Sequence, residues 1–491
     1  MSILKAQTRY GTVCGAETDA GFSVFRGVPF AKPPVGGLRF MPPQEPDAWE
    51  GELECKEFAP ACIQERRHGE QFATSEDCLY LNVFTPAEAA GEKLPVMLWI
   101  YGGGFSGGNG ANPEFDGAAI NKRGVILVTI NYRCGALGFF ALKALEERTG
   151  GSWNLGLLDQ IAALKWVRDN IEAFGGDPER VLVFGQSAGG MSTRMLLCSP
   201  AAEGLFSRAV IQSGGGLNEA DPVHTKEDFM KICQDAADHL GWTVDDLLTR
   251  DADEVNSSLS QAARELSKVM AVGYFQPFID GVTIVDVPGN RIKSGEYMDI
   301  PVICGTVAGD SWMFSRNIRE QLEGHEGFFR GFSFSPGESW AKWQSMCGRR
   351  PIYTYYMDIK QPKRPGGPGG PGGMGAHGAP PFGVTTPHSS EIAYIFGTLK
   401  VKEERQGVKF RPEDFEVSEV MTDFWTNFAK NGDPNGEGLP KWPLNSAATP
   451  LAMHFADDGI RAEMIVTGDE ERRVLDHTIN NPGMISTTEG L

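Results

Sequence analysis

The sequence predicts an α/β fold: a mostly parallel central sheet with helices on both faces, preceded by an N-terminal β-meander. Three observations carry this reading. Five short apolar runs recur along the chain, at 94–101, 124–132, 180–184, 208–213 and 300–306. Within them apolar residues run on without a polar alternation, the pattern of strands buried on both faces. Helical periodicity separates several of the runs, and strands alternating with helices build a sheet covered on both sides.

The elements follow in chain order. "TRYGTVCGAETDAGFSVFRGVPFA" alternates and turns at glycines, as a β-meander does. In "GLLDQIAALKWVRDNIEAF", Leu157, Ile161, Leu164, Val167 and Ile171 recur every three or four residues, and "GGDP" ends that helix. The run "RVLVF" leads into "GQSAGG", after which "MSTRMLLCSP" reads as a helix stopped at Pro200. Residues 222–275 read as an acidic helical insertion. "RPGGPGGPGGMGAHGAPPFG" (364–383) is a Gly/Pro-rich loop, with too little apolar area for a packed element. "VSEVMTDFWTNFAKNGDPNG" is a late amphipathic helix closed by turn residues. No internal repeat is visible. The expectation is one domain over 1–491 carrying the two insertions.

Composition narrows the function classes. Of the 491 residues 41% are apolar, enough for a sizeable core, yet no stretch is long and apolar enough to cross a bilayer. The net charge is -19, from 64 acids against 45 bases, which disfavours nucleic acid and anionic membranes as partners. The start, "MSILKAQTRYGTV", lacks the apolar core of a signal peptide, so a cytoplasmic location is expected. The nine cysteines are odd in number and scattered, with no C-x-x-C pair, which reads as neither a disulfide framework nor a zinc site.

The chemistry centres on Ser187. Gly185-Gln186-Ser187-Ala188-Gly189 has the G-x-S-x-G spacing of a nucleophile elbow between a strand and a helix. The turn is so tight that side chains two residues before and after the serine would clash. A serine hydroxyl needs a base, and the base an orienting acid. Of eight histidines, His388 follows a loop and precedes a helical run, where it can reach the elbow. His377 lies in the Gly/Pro-rich tract; His68, His224, His239 and His325 read as solvated; His454 and His477 lie far past the sheet. Asp310 leaves the C-terminal end of the 300–306 run, and the order serine, acid, histidine is that of strand-elbow hydrolases. Glu296 and Asp299 are the alternative acids. "WIYGGGFSGG" offers unshielded backbone N–H groups for an oxyanion. Phe105, Gln186, Trp312 and the aromatics of 274–278 are candidates for an apolar substrate pocket or for core.

These blocks resemble the type B carboxylesterases, the cholinesterase and p-nitrobenzyl-esterase branch of the α/β-hydrolases. The resemblance extends over nearly the whole chain, through "FRGVPFAKPPVGGLRF", "SEDCLYLNVFTP", "NYRCGALGFF" and "HSSEIAYIFG" as well as the motifs above. It implies Ser187 as nucleophile, His388 as base, and Gly103, Gly104 and Ala188 as oxyanion donors. It also implies two structural ion pairs, Arg39 with Glu76 and Arg133 with Asp159. Three features depart from the family pattern. Gln186 stands where glutamate is usual. The acid is Asp310, one methylene shorter than the usual glutamate. Cys62 and Cys78 match a family disulfide loop, yet no export signal is visible, and the loop lacks the tryptophan that stacks on choline. The expected function is hydrolysis of neutral carboxylic esters, with short or medium acyl chains or an aromatic alcohol, through an acyl-enzyme. A small-molecule ester is the partner, and no metal or cofactor is required. A lipase acting on long chains and a non-catalytic binding protein on the same scaffold are the alternatives. The oligomeric state is not legible.

Overall fold

In the computed structural model the described residues are 2–65, 72–216, 225–266, 275–310, 326–363 and 386–480. Trp312, Tyr274, the 364–383 loop and His68, His224, His325 and His377 lie outside them.

An eleven-stranded sheet organises the chain. Its strands are β1 (Ala16–Glu17), β2 (Ser23–Pro29), β3 (Tyr80–Thr85), β4 (Leu94–Ile100), β5 (Ile126–Ile130), β6 (Gly176–Gln186), β7 (Arg208–Gln212), β8 (Val302–Val307), β9 (Ile352–Asp358), β10 (Ala452–Ala456) and β11 (Gly459–Glu463). The spatial order is β11-β10-β9-β8-β7-β6-β4-β5-β3-β2-β1. The seven strands from β10 to β5 are mutually parallel, and the flanks at β11 and β3-β2-β1 are antiparallel. All five apolar runs of the sequence are central strands. Every residue of β5 and β8 is buried, which is why those runs do not alternate.

Helices pack on the sheet: α1 (Leu155–Asn170), α2 (Ala188–Leu197), α6 (Glu326–Cys347) and α7 (Pro412–Asn431). The acidic insertion forms α3 (Lys226–Leu240), α4 (Val244–Thr249) and α5 (Ala252–Leu266). These helices bury Phe229, Leu247 and Leu259 in an apolar cluster that also holds Phe105 and Ala188 beside the elbow.

Two buried ion pairs fix this arrangement. Arg133 donates to Asp159 from Nε at 2.8 Å, from Nη2 at 2.7 Å and from its backbone N–H at 3.0 Å. Arg39 grips Glu76 bidentately at 2.6 and 2.7 Å and donates onward to the carbonyls of Leu247 and Arg250, tying the insertion to the body. Cys62 and Cys78 are both fully buried, and the Cys62 sulfur accepts the N–H of Cys134 at 3.3 Å. No helix among the described residues is long and apolar enough to cross a membrane.

The structure differs from the sequence reading in two places. The N-terminal meander is divided between two sheets: Lys5–Gln7 pairs with Thr12–Cys14, and that strand with Glu52–Glu54, in a separate small sheet, while β1 and β2 join the large one. His454 does not lie past the sheet but within it, on β10, bonded to Glu463 on β11.

Candidate active site

The parallel register sets the site. Gly185 of β6 pairs with Ile100 of β4, Gln186 with Gln212 of β7, and Gln212 with Gly305 of β8. The chain therefore leaves β4, β6 and β8 at one level on one edge of the sheet. The glycine loop, Ser187 and Asp310 follow those strand ends directly.

Ser187 occupies φ 58°, ψ -127°, left-handed backbone that a side-chain-bearing residue rarely adopts. It is held there by its N–H to the Gln212 carbonyl at 2.9 Å and by the start of α2, where Met191 N–H bonds its carbonyl at 2.8 Å. The second elbow glycine is required by close approach: a Cβ on Gly189 would stand 1.9 Å from the carbonyl oxygen of Ile100. Ala188 opens α2, so its N–H is one of the first-turn donors that no carbonyl of the helix can satisfy. In the glycine loop Gly103 has φ 128°, and a Cβ there would lie 2.1 Å from the Gly107 carbonyl oxygen. Gly104 also has positive φ, and Phe105 follows with φ 58° and packs edge-on against Phe139 at 5.4 Å. Gln64 pins the far side of the loop through a pair of bonds to Gly108, of 2.7 and 2.9 Å.

The acid and the histidine meet across two loops. Asp310 sits three residues past β8, and His388 arrives on the loop before Glu391. The N–H of Gly309 bonds the Thr386 carbonyl at 2.9 Å and joins the loops. Nδ1 of His388 is 2.6 Å from Oδ1 of Asp310, with both side chains under one-tenth exposed. Oδ2 of Asp310 accepts from the Thr306 hydroxyl and, at 3.4 Å, from the Val307 N–H. Burial alone would lower the basicity of His388. The charge of Asp310, its hydrogen bond and the nearby Glu391 outweigh that and raise its pKa. The carboxylate thus fixes the proton on Nδ1 and leaves Nε2 as the acceptor.

Gln186 is buried and turned to the histidine, with its Nε2 3.1 Å from His388 Nε2 and its Oε1 accepting from Ser389 Oγ at 3.0 Å. The alternative acids serve the scaffold: Glu296 pairs with Arg291, and Asp299 caps the N–H groups of Arg349 and Arg350.

Three partners were not legible beforehand. Thr306 and Ser389 are ordinary polar residues until the loops fold, although each lies within four positions of a triad candidate. Glu391 is fully buried, its Oε1 accepts a long 3.4 Å bond from the Ser213 hydroxyl, and its Oε2 has no hydrogen-bond partner among the described residues. Burial, and then the charge of Asp310, push its carboxyl up to about 7. Among the described residues no cluster of His, Cys, Asp and Glu is arranged to hold a metal ion.

The chain is similar along its length to known esterases. The profile of the Carboxylesterase family matches residues 3–335 and 334–464. A para-nitrobenzyl esterase of Bacillus subtilis is 33% identical over 477 residues, covering 89% of this chain and 91% of that protein. A fumonisin B1 esterase of Sphingopyxis macrogoltabida is 42% identical over 325 residues, or 64% of this chain and 58% of that one. A solved PNB esterase superposes with a TM-score of 0.82 at 32% identity, covering 96% of this chain and 99% of its own. Fold, strand-edge site and relatives agree: the chain belongs to the type B carboxylesterase family of α/β-hydrolases and is a carboxylic ester hydrolase.

Proposed function

We propose that the chain hydrolyses neutral carboxylic esters by covalent catalysis at Ser187, with His388 as general base, Asp310 as its orienting acid, and the N–H groups of Gly103, Gly104 and Ala188 as oxyanion donors. The observation that carries this is the 2.6 Å bond from His388 Nδ1 to Asp310 Oδ1, at the strand ends where Ser187 holds its positive-φ turn. Nε2 takes the Ser187 proton as Oγ bonds to the ester carbonyl carbon. The carbonyl oxygen becomes an oxyanion, which preorganised N–H donors stabilise without reorganising. Collapse breaks the bond to the alcohol, which leaves with the proton from Nε2. Water then attacks the acyl-enzyme and gives its proton to Nε2; the Oγ–acyl bond breaks, Oγ takes that proton back from Nε2, and the acid leaves free Ser187 and neutral His388.

The substrate reading rests on neutral and apolar surroundings. Gln186 carries no charge, and Phe105 with Ala188 presents an apolar wall beside the elbow. Phe72 is the only aromatic in the 62–78 stretch, so a cation cage there has too few faces. Short or medium acyl groups, or an aromatic alcohol, suit this wall, and a relative named for para-nitrobenzyl esters supports an aromatic alcohol. A fluorophosphonate probe should label one site per chain, on the peptide containing Ser187. Ser187→Ala should abolish both labelling and esterase activity, and full activity in that variant would refute the proposal.

A further inference from the structure

The residue before the nucleophile makes a contact that the triad does not need. Gln186 points its amide at Nε2, the ring nitrogen that has to accept the serine proton. An amide can face a ring nitrogen with its NH2 or with its oxygen, and the two choices act oppositely on the base. The NH2 donates to neutral imidazole; the oxygen accepts from imidazolium. The Nδ1–H that faces Asp310 decides between them: it leaves Nε2 of the neutral ring without a proton, so only the NH2 can bond there, and Oε1 is turned to the Ser389 hydroxyl, which donates to it at 3.0 Å. Ser389 is itself held at φ 70°, left-handed backbone that favours glycine, and this turn of the loop carries its side chain to Gln186.

We propose that Gln186 is a positioning residue for the catalytic base: oriented by Ser389, its amide donates to Nε2 and keeps His388 in the neutral, proton-accepting form. The inference rests on the reading of Ser187, Asp310 and His388 as a triad. Its physical consequence opposes the acidic surroundings. The groups that face His388 are Asp310, from the loop after β8, and Glu391, three residues on in its own loop. Tyr355 on β9 lies within the field of both acids, and Lys402 acts on Glu391. Asp310, and Glu391 where it is ionised, favour imidazolium, so an amide donor at Nε2 offsets them and extends the active form to lower pH. The same bond must open as Ser187 approaches, which makes Gln186 a resting-state holder and not a participant in proton transfer.

The test is the acid limb of kcat/KM against pH, measured with a neutral p-nitrophenyl ester at a wavelength where phenol and phenolate absorb equally. Gln186→Met removes the donor and should move the limb to higher pH. Gln186→Glu should move it further, by about one unit or more, because a carboxylate within reach favours the charged ring. Whichever of the introduced carboxyl and His388 holds the extra proton, that proton is lost at a higher pH. Ser389→Ala frees the amide to present its oxygen and should also raise the limb, by less than Gln186→Glu, while leaving Gln186 in place should that side chain prove needed for folding. A limb unmoved in all three variants, or lowered by Gln186→Glu, overturns the inference. Fluorophosphonate labelling of Ser187, run alongside, separates this from the parent reading: if labelling and the Ser187→Ala loss hold while the limbs stay fixed, only the role of Gln186 falls.

Discussion

Asp310→Asn is isosteric, yet its effect can be worked out from three contacts. Oδ2 of Asp310 faces two donors, the Thr306 hydroxyl and the Val307 N–H, while Oδ1 faces Nδ1 of His388. An asparagine must turn its single oxygen to the two donors, so its NH2 meets Nδ1. Nδ1 then has to accept, and the ring proton moves to Nε2, where it blocks uptake of the Ser187 proton. Loss of the correct tautomer in a serine triad costs about 10⁴ in kcat. At about 1.4 kcal/mol per tenfold, that is a barrier roughly 5 to 6 kcal/mol higher. The measurement is kcat for a neutral aryl ester, with thermal unfolding to confirm the fold. A second substitution tests the cause. In Thr306→Val/Asp310→Asn the stronger competing donor is gone, so the amide can turn its oxygen to Nδ1–H and activity should rise above that of Asp310→Asn alone. A single variant within tenfold of wild type would refute Asp310 as the orienting acid, and a double variant with no recovery would refute the tautomer argument.

Further outcomes follow from the same geometry. Arg133→Met leaves Asp159 buried without its partner and should cost about 3–5 kcal/mol in urea unfolding, whereas Arg133→Met/Asp159→Leu should recover most of it. Glu391 holds its proton to about 7 in the folded chain against an ordinary 4.5, so its contribution to stability is present at low pH and is lost as pH rises through that window. Wild type should therefore lose on the order of 3 kcal/mol more than Glu391→Gln between those limits, and parallel stability curves would show that Glu391 is ionised throughout. A neutral butyrate ester should exceed butyrylcholine in kcat/KM by up to about a thousandfold, taking two missing cation–π contacts at about 2 kcal/mol each. Equal values would imply a cation site built from other residues.

The parts legible in the sequence are those where a local pattern and a tertiary demand coincide. The β4, β5, β6, β7 and β8 runs are buried on both faces, so apolar continuity marks them. Ser187 was legible because close approach of α2 to β4 demands glycine at a fixed distance from it. β9, "IYTYYMD", carries no such mark, because its tyrosines and threonine break the apolar signal, although six of its seven residues are buried. α6 carries Pro336 and several Gly and Ser residues, which argue for a loop, and contacts with β8, β9 and the C-terminal helix Asp469–Asn480 override that local preference. Gln186 shows the limit most plainly. Its identity as a departure could be read, but its direction could not, since the chain turns sharply at Ser187 and strand alternation no longer says which way residue 186 points. The place of His454 in the sheet is hidden for a similar reason: β10 pairs with β9, a strand without an apolar mark.

Acyl transfer to Ser187 is the central claim, and the acyl-enzyme is its most direct witness. Enzyme mixed with excess p-nitrophenyl butyrate, quenched in acid within the first turnovers and digested, should carry one butyryl group on the peptide containing Ser187. That modification should be absent in Ser187→Ala. A butyryl group on another residue, or steady turnover with no acyl group on Ser187 at any quench time, would contradict covalent catalysis at this site.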